Sequence, residues 1–249
     1  MVGKPSDNLV RVRDFFFFHS KDFNSSGFSS VDGRTAVIVA EFHQGPSLLR
    51  YISDRWDDIS NDQFRDLLAQ VALALAQLHE EGIVHRNLSP SLAVTVQLLD
   101  SGQGNKKHRA VSLQPLCKLG DYFLLHNPRQ PGCQMSQGRA DWGCTLTAPP
   151  EAKGGVRSAV SSKSDIYSFG VCIFHWATRG RLPLPDFSNN FAISNRWSEE
   201  HLDRVRALIP LKWEKWLHAA LSMCLQPKPE GRATARDIYT YLTSRFGKK

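Results

Sequence analysis

Apolar side chains recur at helical spacing through Phe64, Leu67, Leu68, Val71, Leu75 and Leu78, so one face of this stretch is continuously hydrophobic. Ahead of the run, Ser60-x-x-Gln63 has the form of a capping box, in which a hydroxyl and an amide satisfy backbone N–H groups that a helix start leaves orphaned. Gly82 after it is the residue type that closes helices in the left-handed conformation. The pattern predicts an amphipathic helix laid against a core. A second helix is predicted from near Ser164 to Gly180, where Ile166, Phe169, Val171, Ile173, Phe174 and Trp176 spread over several faces, as in a helix buried all round. Trp213, Trp216, Leu217, Leu221 and Leu225 begin the closing helices.

Between and before these helices the period changes. Thr35 to Phe42 is a β-branched run, and Ala93 to Leu99 with Val111 to Leu119 reads as a strand pair joined by a polar stretch through Lys106-Lys107-His108-Arg109. Asn24-Ser25-Ser26-Gly27 has the composition of a hairpin loop. Phe15 to Phe18 place aromatic rings on both faces of a strand, because successive side chains alternate.

The stretch Gly82-Ile-Val-His-Arg-Asn-Leu-Ser-Pro-Ser-Leu92 resembles the catalytic loop of the eukaryotic protein kinases. Three further landmarks follow in the family's order. Lys118-Leu-Gly-Asp-Tyr-Phe123 is similar to the Asp-Phe-Gly segment, Ala148-Pro-Pro-Glu151 to the Ala-Pro-Glu that closes the activation segment, and Ser164-Asp-Ile-Tyr-Ser-Phe-Gly170 to the start of the central helix. The resemblance implies an α+β, protein kinase-like fold: a reduced β small-lobe remnant and hinge over 1–45, a mainly helical large lobe over 46–249, and one functional unit. Asn8-Leu9-Val10 is similar to the start of the fourth small-lobe strand, and Glu41 falls in the hinge. Met1 to Asp7 is too short for the glycine-rich loop and the strand and helix that carry the nucleotide-pairing Lys–Glu pair. The expectation is a truncated small lobe or one that continues outside this chain.

Chemistry depends on individual side chains rather than on fold. Within the loop that holds His85 and Arg86, the family's catalytic Asp is matched by Asn87, whose neutral amide is no base. Ser89 stands where a Lys would approach the transferring phosphate, and Leu92 where an Asn would hold a second magnesium. Asp121 is the remaining candidate metal ligand. By the same resemblance His85 packs under the aromatic matched by Tyr122, and Asp165 anchors the catalytic-loop backbone. Glu151 and Arg232 match a buried ion pair. Cys144 replaces a Thr that would contact the catalytic Asp, and no His and Asn pattern accompanies it to make a nucleophile.

Composition narrows the remaining classes. At 249 residues and 41% hydrophobic content the chain can bury a core. The net charge of +7 is spread out, and its densest cluster, Lys106 to Arg109, lacks the interleaved aromatics of a single-strand nucleic-acid groove. The five cysteines are odd in number and contain no Cys-x-x-Cys pair, which points away from a disulfide framework or zinc site. No apolar run reaches the ~20 residues that cross a bilayer. The sequence reading is a cytoplasmic pseudokinase: a scaffold or allosteric module with a protein partner, no specific nucleic acid and no required cofactor. The alternative is a divergent serine/threonine kinase using ATP and magnesium.

Overall fold

The computed structural model describes residues 7–19, 34–100, 113–125, 142–144, 146–153, 160–180, 207–213 and 215–244. The basic cluster at 106–109, the loop at 24–27 and the connection from 182 to 206 lie outside them. Two antiparallel strand pairs lead into helices. Strands β1 (Val12–His19) and β2 (Arg34–Ala40) pair with Phe15 opposite Ile38 and Phe16 opposite Val37. Strands β3 (Val94–Asp100) and β4 (Leu113–Leu119) pair with Val94 opposite Leu119. The helices are α1 (Leu48–Asp54), α2 (Asn61–Glu80), α3 (Pro150–Lys153), α4 (Ser162–Ala177), α5 (Lys215–Cys224) and α6 (Ala235–Thr243).

Helix α2 starts where its capping box dictates: Gln63 N–H donates to the Ser60 hydroxyl at 3.2 Å, and Ser60 N–H donates to Gln63 Oε1 at 2.9 Å. It ends on Gly82, whose φ of 77° lies in the left-handed region and lets Ile83 N–H return to Leu78 O at 2.8 Å. The apolar stripe from Phe64 to Leu78 is buried against α4, α6 and β4. Phe64 meets the ring of Trp213 at 4.4 Å between centroids and that of Trp216 at 6.1 Å. Helix α4 begins two residues before the expected start, because Ser161 and Ser164 form a second capping box. Its side chains from Ser164 to Ala177 are all buried, so its lack of a polar face is explained by packing on every side.

The two strand pairs are joined through the segment before β1. Val10 N–H donates to Leu119 O and Leu119 N–H to Asn8 O, both at 2.8 Å. Gln70 of α2 completes the joint: its amide donates to Pro115 O, and its Oε1 accepts from Cys117 N–H and the Asn8 side chain. The polar Gln70 therefore ties helix, strand and chain entrance into one unit. The expected strand ending at Phe42 stops at Ala40, past which the Glu41 side chain, not a backbone carbonyl, accepts the Arg11 N–H. Phe15 is 60% exposed and Phe16 46% exposed, so β1 presents aromatic rings on both faces, with Ile38 and Val39 of β2 also exposed.

Candidate functional site

The loop from His85 to Ala93 is hung from the fully buried carboxylate of Asp165 at the start of α4. Oδ2 accepts from His85 N–H at 2.7 Å and Oδ1 from Arg86 N–H at 2.8 Å. The imidazole of His79, in the last turn of α2, donates to Oδ2 at 2.9 Å. This backbone is bent: Arg86 has φ 65°, a left-handed value that costs a non-glycine residue energy and persists because its surroundings over-determine it. Arg86 is buried, and its carbonyl accepts from Gly143 N–H at 3.2 Å. Two buried hydroxyls hold the loop from the other side. Thr147 donates to Leu88 O at 2.5 Å, and Ser168 donates to Thr147 O at 2.7 Å.

His85 and Tyr122 meet edge to face at 5.9 Å. The imidazole Nε2–H donates to Gly120 O at 2.8 Å while Nδ1 accepts from Asn87 N–H at 3.2 Å, which assigns one neutral tautomer. Burial lowers the His85 pKa, outweighing the opposing pull of Asp165 and the Gly120 carbonyl, so the ring stays uncharged. His85 is thus a packing and hydrogen-bonding element inside the fold.

Asn87 points at the residue after Gly120. Its amide donates to the Asp121 backbone O at 3.3 Å, and a Cβ placed on Gly143 would lie 1.8 Å from its Oδ1. A larger residue at 143 would have to displace the Asn87 amide. The Asp121 carboxyl is raised in pKa by burial, against a hydrogen bond from Asn87, and its backbone is left-handed with φ 63°. Ser89 Oγ accepts from Leu92 N–H at 3.2 Å and Ala93 N–H at 3.3 Å, so this hydroxyl serves the turn. Leu92 is 72% exposed at the rim of a cavity of about 180 Å³ that also borders Asp121.

That cavity brings together residues whose pairing the sequence does not announce. Glu41, Phe42 and His43 form one wall, and Ala93, Thr95, Lys118 and Gly120 another. Lys118 Nζ donates to Glu41 Oε1 at 3.0 Å, and Arg11 N–H donates to the same oxygen at 2.8 Å. Burial pushes the Glu41 carboxyl up, yet the Arg11 N–H and the Lys118 ammonium prevail and hold it down at about 2. Strand alternation places Lys118 on the cavity face with Thr95, directly opposite in register. Nothing local in the sequence pairs positions 41 and 118.

Glu151 and Arg232, far apart in sequence, form a two-pronged pair at 2.6 and 2.9 Å. Ser164 adds a hydroxyl to Glu151 Oε1 at 2.8 Å. The pair ties α3 to the turn before α6.

A family model described as protein tyrosine and serine/threonine kinase matches residues 19–242, and the chain belongs to that family. Its strands and helices form a protein kinase-like α+β fold with a mainly helical large lobe and a reduced β small lobe. Among relatives, tyrosine-protein kinase SRK2 of Spongilla lacustris is 27% identical over 203 residues, covering 81% of this chain and 49% of that protein. SRK3 of the same organism is 27% identical over 219 residues, covering 84% of this chain and 56% of its own length. Tyrosine protein-kinase src-1 of Caenorhabditis elegans is 23% identical over 209 residues, 84% of this chain and 36% of the relative. The chain thus spans about half, or less, of the curated relatives it matches. All three carry tyrosine-kinase names, whereas the sequence reading leaned to the serine/threonine branch.

The family works with magnesium and ATP, and a site for that group makes definite demands on its residues. Magnesium needs an octahedron of oxygens, normally from carboxylates, waters and phosphates. Here Leu92 offers no lone pair, Ser89 is committed to backbone N–H groups and Glu41 is bonded to Lys118, which leaves Asp121 as the one other carboxylate among the described residues lining the cavity. Among the described residues no group of three His, Cys, Asp or Glu side chains is placed to hold a metal ion. This donor set does not fit a magnesium-nucleotide complex of the usual kind. No described helix is long and apolar enough to cross a membrane.

Proposed function

We propose that this chain is a catalytically inactive protein kinase-like domain that acts as a scaffold or allosteric protein-binding module. The observation that carries the reading is Asn87: the position from which the family's base would act holds an amide that donates to the Asp121 backbone. A general base contributes roughly 10²–10⁴-fold in rate, and its loss compounds the missing metal and phosphate contacts. Incubation with radiolabelled ATP and magnesium is expected to give no phosphotransfer above background, and Asn87→Asp is expected not to restore it. Turnover by the natural chain that Asp121→Ala abolishes would overturn the reading. The names of the relatives favour the competing one, a divergent kinase that uses ATP, and the same assay decides between them.

The partner surface of such a module falls on the β1–β2 hairpin. A two-stranded hairpin is marginal by itself, and a cluster of exposed rings and aliphatics on both faces marks an interaction site. Phe15, Phe16, Ile38 and Val39 supply that cluster. The double variant Phe15→Glu, Phe16→Glu should lose protein partners in capture experiments, or a change in sedimentation, while keeping its melting temperature within a few degrees. An unchanged partner set and oligomeric state would move the interface to the helical lobe.

A further inference from the structure

Glu41 stands where three stretches of chain cross. Its N–H donates to Arg11 O at 2.8 Å, and its Oε1 receives Arg11 N–H and Lys118 Nζ. The His43 imidazole lies 3.1 Å from the same oxygen. A partly buried carboxylate with these partners stays ionised, and the buried Lys118 ammonium is held to it across the floor of the cavity. The remaining space, about 180 Å³, is below the ~300–1,000 Å³ usual for ligand sites. Its walls are nonetheless suited to a flat polar molecule. Leu92 and Phe42, 72% and 84% exposed, make an apolar mouth, while Thr95 Oγ and His43 Nδ1 are buried with no hydrogen-bond partner among the described residues.

We propose that the Lys118–Glu41 ion pair is an internal occupant of this cleft, closing its floor to a planar heterocycle and pinning the β1–β2 hairpin to the β3–β4 pair. A planar heterocycle with hydrogen-bonding edges then enters only when the pair is removed, and it does so without magnesium. This deepens the non-catalytic reading and rests on it, but base binding and phosphotransfer are separate measurements, so either can fail alone.

The test is titration of the full chain with adenosine, free of magnesium, followed by calorimetry and by NMR. The natural chain is expected to show no saturable binding. The variant Lys118→Ala, Glu41→Gln keeps an acceptor for Arg11 N–H while removing both charges and the lysine stem, and should bind adenosine at least about tenfold more tightly. Saturable binding to the natural chain as tight as to the variant overturns the proposal, even if no phosphate is ever transferred. So does a folded variant with no gain. Should the double variant not fold, Lys118→Ala alone takes its place with the same two outcomes.

Discussion

Replacing Arg232 by alanine should lower the melting temperature by about 6–20 °C, the span that ~3–5 kcal/mol produces in a domain of this size. The reason is that the guanidinium, 2% exposed, uses its whole donor set. Nη1 donates to Glu151 Oε1 and to Lys163 O, Nη2 to Glu151 Oε2 and to Pro227 O, and Nε to Gln226 O, all between 2.6 and 3.0 Å. The planar group also lies 5.0 Å from the centre of the Tyr167 ring. Alanine would strand the Glu151 carboxylate and three backbone carbonyls in a site that water does not readily reach. Arg232→Lys should recover only part of the loss, because an ammonium has three donors in a different geometry. Thermal unfolding followed by circular dichroism reads the effect. A shift under about 2 °C for Arg232→Ala would mean that α3 and the turn before α6 are held together by other contacts.

The second large effect is expected at Asp165. Its carboxylate is fully buried and accepts from the His85 and Arg86 N–H groups and from His79. Alanine leaves two buried amides without acceptors, at about 1–3 kcal/mol each, and removes the strut that holds Arg86 in its left-handed backbone conformation. Asparagine is not a mild change either. One of its two heads is an NH2 donor, which must face a backbone N–H donor or the His79 ring. The expected result for Asp165→Ala is a destabilisation of roughly 2–6 kcal/mol together with faster hydrogen exchange at residues 85–89. Exchange in that loop unchanged, with stability lost, would show that Thr147 and Trp176, which bonds Pro90 O at 2.9 Å, hold the loop without it.

The elements written in local pattern are those that short-range physics controls. The capping box at Ser60 and Gln63, the apolar stripe from Phe64 to Leu78 and the turn at Gly82 define α2 almost residue by residue, since each signal acts within one helical turn. The all-round apolar run of α4 announced its burial in the same way. Motif order, carried by residues such as His85, Asp165, Glu151 and Arg232, made the family legible, and the family in turn specified which distant residues should meet. The strand ends were less legible: β2 stops at Ala40, and the next backbone N–H to be satisfied, that of Arg11, goes to the Glu41 side chain, a bond across 30 positions.

By itself, then, the sequence determined the helices, their caps, the kinase-like order of motifs and the presence of Asn87 in the stretch that resembles the catalytic loop. Only the tertiary structure decided that Glu41 and Lys118 meet across the cleft, that Gln70 fastens β4 and the chain before β1 to α2, that Ser89 serves its own turn, and that Phe15 and Phe16 both remain exposed. The physical reason is range. Caps and periodicity follow from neighbours a few residues apart, whereas the partner of a buried charge depends on which strand face meets which loop once the layers have closed.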